Sequence, residues 1–80
     1  MVLEETELKI LKALYNDGYR YLARDDCRLY AFRSKPLKKE DEWYDDTPLN
    51  WANLGYVKVL FPHIKREDKE PTSIERLLNE

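Results

Sequence analysis

The chain has 80 residues, of which 42% are hydrophobic and 38% charged, enough for one small domain around a compact core and too few for a deep, enclosed active site. An aromatic share of 12% argues against disorder. Fourteen Lys and Arg against sixteen Asp and Glu leave a net charge of −2, which excludes a protein that holds nucleic acid by bulk positive charge.

Residues 3–15 carry a helical period. Leu3, Ile10, Leu11, Leu14 and Tyr15 form an apolar stripe with Leu8 beside it, while Glu4, Glu5, Glu7, Lys9 and Lys12 take the remaining positions. Acidic residues lead and lysines follow, the order that the helix dipole favours. Asn16-Asp17-Gly18 ends the helix, with Gly18 suited to the left-handed conformation just past its end.

Two strand-forming segments follow, Tyr19–Arg24 and Arg28–Arg33, joined by a turn at Asp25-Asp26-Cys27. Pairing Arg24 with Leu29 places Tyr19, Tyr21, Ala23, Tyr30 and Phe32 on one face, the face expected to pack against the helix. Arg20, Leu22, Arg24, Leu29, Ala31 and Arg33 fall on the other. The alternative, Arg24 opposite Arg28, sets like charges against each other.

Pro36 ends the hairpin, since proline cannot donate to a ladder. Residues 35–47 read as a polar surface loop around Trp43 and Tyr44, with room for a short edge strand there. Thr47-Pro48 resembles a helix start, and Gly55 would close a short helix over 48–54. Tyr56–Phe61 is the third expected strand, stopped by Pro62. Thr72-Ser73-Ile74-Glu75 fits a capping box that opens a last helix to about Asn79, docked through Ile74, Leu77 and Leu78. The order of elements predicts one α+β domain over 1–80. Its architecture is a small, mainly antiparallel sheet packed by the N-terminal helix, with a short C-terminal helix. Leu8, Leu11, Leu14, Tyr21, Ala23, Tyr30, Phe32, Val57 and Val59 are the expected core.

The residues that could carry chemistry are few. Cys27, the single cysteine, excludes an intrachain disulfide or a multi-thiolate zinc site within one copy. It lies beside two carboxylates without a base or oxyanion site, so it reads as a turn residue. His63, the single histidine, has no partner at a diagnostic spacing and reads as a partly exposed turn residue. No nucleophile, base or metal constellation emerges, and the expectation is a protein that is not an enzyme and needs no cofactor. No apolar run is long enough to span a bilayer, so no membrane partner is expected. The acidic start, Met1-Val2-Leu3-Glu4-Glu5, is unlike a signal peptide, and a cytoplasmic location is expected.

Charge segregation is the most informative feature. Residues 20–39 hold Arg20, Arg24, Arg28, Arg33, Lys35, Lys38 and Lys39 against only Asp25 and Asp26. Residues 40–46 hold Glu40, Asp41, Glu42, Asp45 and Asp46 and no base. The acidic run lacks the glycine-containing EF-hand pattern and reads as solvated rather than as a metal site. Trp43 and Tyr44 lie within it. Aromatics among carboxylates suit a protein-binding surface, because aromatic anchors dominate interface energies and fixed charge speeds encounter with a basic partner. Residues 40–46 are therefore the expected contact surface. Trp51 reads instead as a cap on the open side of the sheet. The alternative is nucleic-acid binding along the basic hairpin, with aromatics stacking on the bases of a single strand.

The stretch Leu11-Lys12-Ala13-Leu14-Tyr15-Asn16-Asp17-Gly18-Tyr19-Arg20-Tyr21-Leu22-Ala23-Arg24-Asp25 and the later Leu60-Phe61-Pro62-His63-Ile64-Lys65, followed by acidic residues and Glu70-Pro71, resemble small proteins of unknown function from phages and prophages of Gram-positive bacteria. The resemblance covers the helix, the hairpin and the C-terminal third, and leaves out the central charged segment. It implies a small accessory protein in the cytoplasm of a bacterial host, with no active-site residues to carry over. In that setting a host-encoded protein is the expected partner and an anti-defence role is an expectation from context. The exposed edge of a small sheet also invites pairing into a homo-oligomer.

Overall fold

The computed structural model describes residues 3–25, 28–39, 42–44, 50–56 and 60–79. Helix α1 spans Glu5–Asn16, and strands β1 Tyr21–Asp25 and β2 Arg28–Phe32 form the hairpin. Strands β3 Leu37–Lys39 and β4 Glu42–Tyr44 make a second, smaller hairpin. Strand β5 is Trp51–Tyr56, β6 is Thr72–Ser73, and helix α2 is Ile74–Leu78. The main sheet has the order β5-β2-β1-β6, with every pairing antiparallel; β3 and β4 form a separate two-stranded sheet. The fold is α+β, as the sequence predicts.

Helix α1 ends as expected. Gly18 takes φ +99°, its N–H donates to the Tyr15 carbonyl at 3.1 Å, and the Tyr19 N–H reaches back to the Leu14 carbonyl at 2.9 Å. That pair of bonds closes a Schellman motif, which satisfies carbonyls that the helix itself leaves open. The chain then turns directly into β1. The β1–β2 register places Arg24 opposite Leu29, the pairing that avoids the Arg24–Arg28 clash.

The face that meets the helices is the reverse of the expected one. Leu22, Leu29 and Ala31 are fully buried, and with Leu11, Phe61, Ile64, Ile74 and Leu77 they form the hydrophobic core. Tyr21, Ala23, Tyr30 and Phe32 alternate onto the opposite face. Three arginines at 20, 24 and 33 made the core-facing side look like a solvated one. Arg24 explains how such a side can be closed. Its guanidinium donates from Nε to the Ile64 carbonyl at 2.7 Å, and from Nη2 to the carbonyls of Leu60 at 2.9 Å and Phe61 at 3.2 Å. One side chain thus satisfies carbonyls of the 60–64 turn at the edge of the core, where unpaired ones would be costly.

Of the other expected core residues, Leu11, Ala23 and Phe32 are buried. Leu8, Leu14, Tyr21 and Tyr30 are half-buried, and Val57 and Val59 lie outside the described residues. Glu7, expected on the polar side of α1, is buried. Its carboxylate accepts from the Glu4 N–H at 2.9 Å and from the Phe61 N–H. Near a helix N-terminus a carboxylate is also favoured by the dipole.

Residues 51–54, expected to be helical, are strand instead. Trp51, Ala52 and Asn53 pair with Phe32, Ala31 and Tyr30, and the register then shifts so that Tyr56 meets Arg28. Gly55, with φ +86°, lies in this irregularity, and its N–H donates to the Asn53 Oδ1 at 2.8 Å. A glycine at positive φ terminates helices, but it equally makes a bulge in a strand. Thr47 and Pro48, the other half of the helical expectation, lie outside the described residues. The strand expected over 56–61 also starts too late, because Tyr56 ends β5 and Phe61 sits in a turn with φ +53°. The last helix is capped one residue later than expected: the Ser73 Oγ accepts from the Arg76 N–H at 3.2 Å. Ile74 and Leu77 are buried beneath it and Leu78 packs against the core, as anticipated.

Candidate interaction site

The far face of the sheet carries aromatic side chains. Tyr30 and Phe32 come from β2, and Trp51 stands across the ladder from Phe32 on β5. The Tyr30 and Trp51 rings meet edge to face at 5.7 Å and 68°, and the Tyr30 and Phe32 centroids are 6.4 Å apart. Such tilted contacts satisfy the ring quadrupoles; Phe32 is buried, Tyr30 is half-buried and Trp51 is exposed.

The β3–β4 hairpin is fastened beside this surface. Trp43 and Lys38 are cross-strand partners and both are half-buried. The Trp43 indole Nε1–H donates to the Arg24 carbonyl at 3.0 Å. The Lys38 ammonium donates to the carbonyls of Arg66 and Asp68, the latter at 2.7 Å, and lies 5.3 Å from the Trp43 ring centroid. Leu37 and Tyr44, the neighbouring cross-strand pair, turn the other way by the alternation of the pleat. Leu37 is 69% exposed, Tyr44 54% and Trp51 45%. These are the large hydrophobic residues left open among the described ones. Between hairpin and sheet lies a cavity of about 310 Å³ lined by Asp25, Tyr30, Phe32, Trp43, Tyr44 and Trp51.

Of the expected contact surface, Trp43 and Tyr44 lie on the short strand β4, for which the sequence left room, and they differ in exposure. Trp43 is half-buried and held by its indole N–H, whereas Tyr44 is exposed to solvent over half of its surface. Glu42 is exposed on β4, and Glu40, Asp41, Asp45 and Asp46 lie outside the described residues. Sequence reasoning missed Tyr30 and Phe32 as site residues because it assigned them to the helix-packed core. Trp51 reads from the sequence as a cap on the open side of the sheet, within the helix expected over 48–54, and so outside the contact surface. The signal that could have found them is the alternation of Leu22, Leu29 and Ala31, aliphatic residues broken only by Arg24 within the paired strands, against Tyr21, Tyr30 and Phe32 on the other face.

The basic residues are spread over separate tasks. Arg20 donates to the carbonyls of Tyr15 at 2.9 Å and Tyr19 at 3.0 Å, and stacks 3.8 Å over the Tyr15 ring. Arg33 donates to the Asp17 carbonyl, pairs with the Asp17 carboxylate at 3.7 Å, and lies 4.4 Å over the Tyr19 ring. Lys35 pairs with Glu70 at 3.2 Å. Arg24 and Lys38 bind carbonyls as described, while Arg28 and Lys39 are exposed.

His63 packs its ring edge-on to Phe61 at a centroid distance of 6.4 Å, and among the described residues its buried Nε2 has no hydrogen-bond partner. Cys27 lies outside the described residues. Among the described residues no three His, Cys, Asp or Glu side chains gather in a group able to hold a metal ion, and no helix is long and apolar enough to cross a membrane. Comparison with protein-family models, curated proteins and solved structures gives no match to this chain.

Proposed function

We propose that this protein is a non-catalytic interaction module, a phage or prophage accessory factor acting in the bacterial cytoplasm on a host-encoded protein. The observation that supports this reading is the exposure of Tyr44 and Trp51, which both line the far-face cavity, with exposed Leu37 paired across the β3–β4 ladder from Tyr44. Exposed aromatic residues gathered at one place favour an interface over a solvated wall. The acidic run over residues 40–46 adds charge of the sign that speeds encounter with a basic partner. The test is affinity capture from host extract with the wild type and with a Leu37→Ser, Tyr44→Ala double variant, each checked for folding by circular dichroism. The wild type is expected to retain a partner that the folded variant loses, with association slowed by added salt. Undiminished capture by the variant would move the surface elsewhere. Nucleic-acid binding along the basic hairpin draws less support, because Arg20, Arg24 and Arg33 direct their guanidinium groups to main-chain carbonyls of the fold itself.

A further inference from the structure

The composition of the far-face cavity selects its occupant. It is lined by Tyr30, Phe32, Trp43, Tyr44 and Trp51, and among the described residues Asp25 is the one charged residue of the lining. Neither a hydrogen bond nor an ion pair to another residue engages the Asp25 carboxylate among those described. An anion would be repelled by that carboxylate and by the negative faces of the rings. A neutral apolar guest would desolvate the carboxylate without giving it a partner. A cation gains from both features at once.

Among cations the two features favour a guanidinium. It is planar and stacks on aromatic faces, and it keeps N–H groups in its plane to donate to a carboxylate in a bidentate pair. A quaternary ammonium can use the rings but has no N–H for Asp25. The chain applies the same chemistry internally, with Arg20 over Tyr15 at 3.8 Å and Arg33 over Tyr19 at 4.4 Å. A cavity of about 310 Å³ is at the small end of ligand pockets, suited to one side chain. The charge of the chain around Trp43 and Tyr44, with Glu40, Asp41, Glu42, Asp45 and Asp46 within three residues, has the sign that attracts a basic segment.

We infer that this cavity is an acceptor pocket for an arginine side chain presented by the partner protein, stacked between the aromatic walls with its guanidinium on Asp25. This rests on the interaction reading above and names the chemistry that its partner must present.

The test follows the indole N–H resonances of Trp43 and Trp51 by NMR during titration with N-acetyl-arginine-N-methylamide. The citrulline and trimethyl-lysine counterparts serve as neutral and quaternary controls. Saturable shifts are expected with the arginine probe, with binding weaker by about tenfold or more for citrulline, which keeps the shape and loses the charge. The trimethyl-lysine probe should also bind more weakly. Asp25→Asn should bring the arginine probe down to the level of citrulline. Equal binding of citrulline, tighter binding of trimethyl-lysine, absence of any indole shift at saturation, or full affinity in a folded Asp25→Asn variant would each overturn the assignment. Should Asp25→Asn fail to fold, Trp51→Ala removes a half-exposed wall at the sheet edge and must abolish binding. The two proposals separate in the capture experiment. If the Leu37→Ser, Tyr44→Ala variant loses the partner while Asp25→Asn keeps it at full affinity, the arginine pocket falls and the interaction reading stands.

Discussion

The two faces of the β1–β2 hairpin share one backbone and are finished in different ways. On one, Leu22, Leu29 and Ala31 meet Leu11, Phe61, Ile64, Ile74 and Leu77 in an aliphatic interior closed by two helices and the 60–64 turn. On the other, Ala23 and Phe32 are buried, but Tyr30 is half-buried and Trp51 and Tyr44 remain open around a cavity. Strands buried on both sides must be apolar on both sides, so alternation in this hairpin separates aliphatic from aromatic residues rather than apolar from polar ones. Stability is assigned mostly to the first face. The second combines large apolar area with incomplete cover, the combination from which interfaces are made.

That contrast can be broken first at the aliphatic face. Leu11→Ala removes a fully buried side chain and should destabilise the protein by about 2–5 kcal/mol, read from the urea midpoint. An unchanged midpoint would mean that the helix does not close the core. A smaller effect is expected at the polar edge of that face. Arg24→Met keeps the alkyl stem but leaves the carbonyls of Ile64, Leu60 and Phe61 without their guanidinium donors. The cost should be about 2 kcal/mol, from the penalty for unsatisfied carbonyls. Arg24→Lys should recover only part of it, since an ammonium cannot span three acceptors with the same fork. The smallest effect belongs to the open face: Tyr44→Ala should change stability by no more than about 0.5 kcal/mol in the same urea titration. A loss as large as that of Leu11→Ala would place Tyr44 in the structural core and remove it from the interaction surface.

The helix, its glycine stop and the hairpin register were legible because each rests on local rules. Leu11 and Leu14 recur at helical spacing, Gly18 accepts a positive φ, and like charges at Arg24 and Arg28 forbid one pairing. Which face of the hairpin meets the helix was not legible. That choice depends on Arg24 finding carbonyls some forty positions away in sequence, and no local pattern encodes such a partner. Glu7 was misread for the same reason, since its second acceptor role is for the Phe61 N–H. Gly55 supported two local readings, a helix stop and a strand bulge, and only the pairing of Trp51 with Phe32 decides between them. Trp43 and Tyr44 stood out as aromatics in an acidic setting, but their division into one fastened and one open side chain required the cross-strand pairing with Lys38 and Leu37.

The bulge at Gly55 also bears on self-association. β5 is the longer of the two outer strands of the main sheet, β6 having only two residues, and an outer strand offers its unpaired amides and carbonyls as a template for another chain. A template needs constant spacing. Here regular pairing geometry runs from Trp51 to Asn53 and is then interrupted before Tyr56, so an incoming strand would find only a short run in register before the backbone twists away. The glycine thus limits how far the sheet can grow on the β5 side. A small protein that displays aromatic residues on one face gains from this a backbone-level guard against stacking into fibres, independent of the charges on its surface.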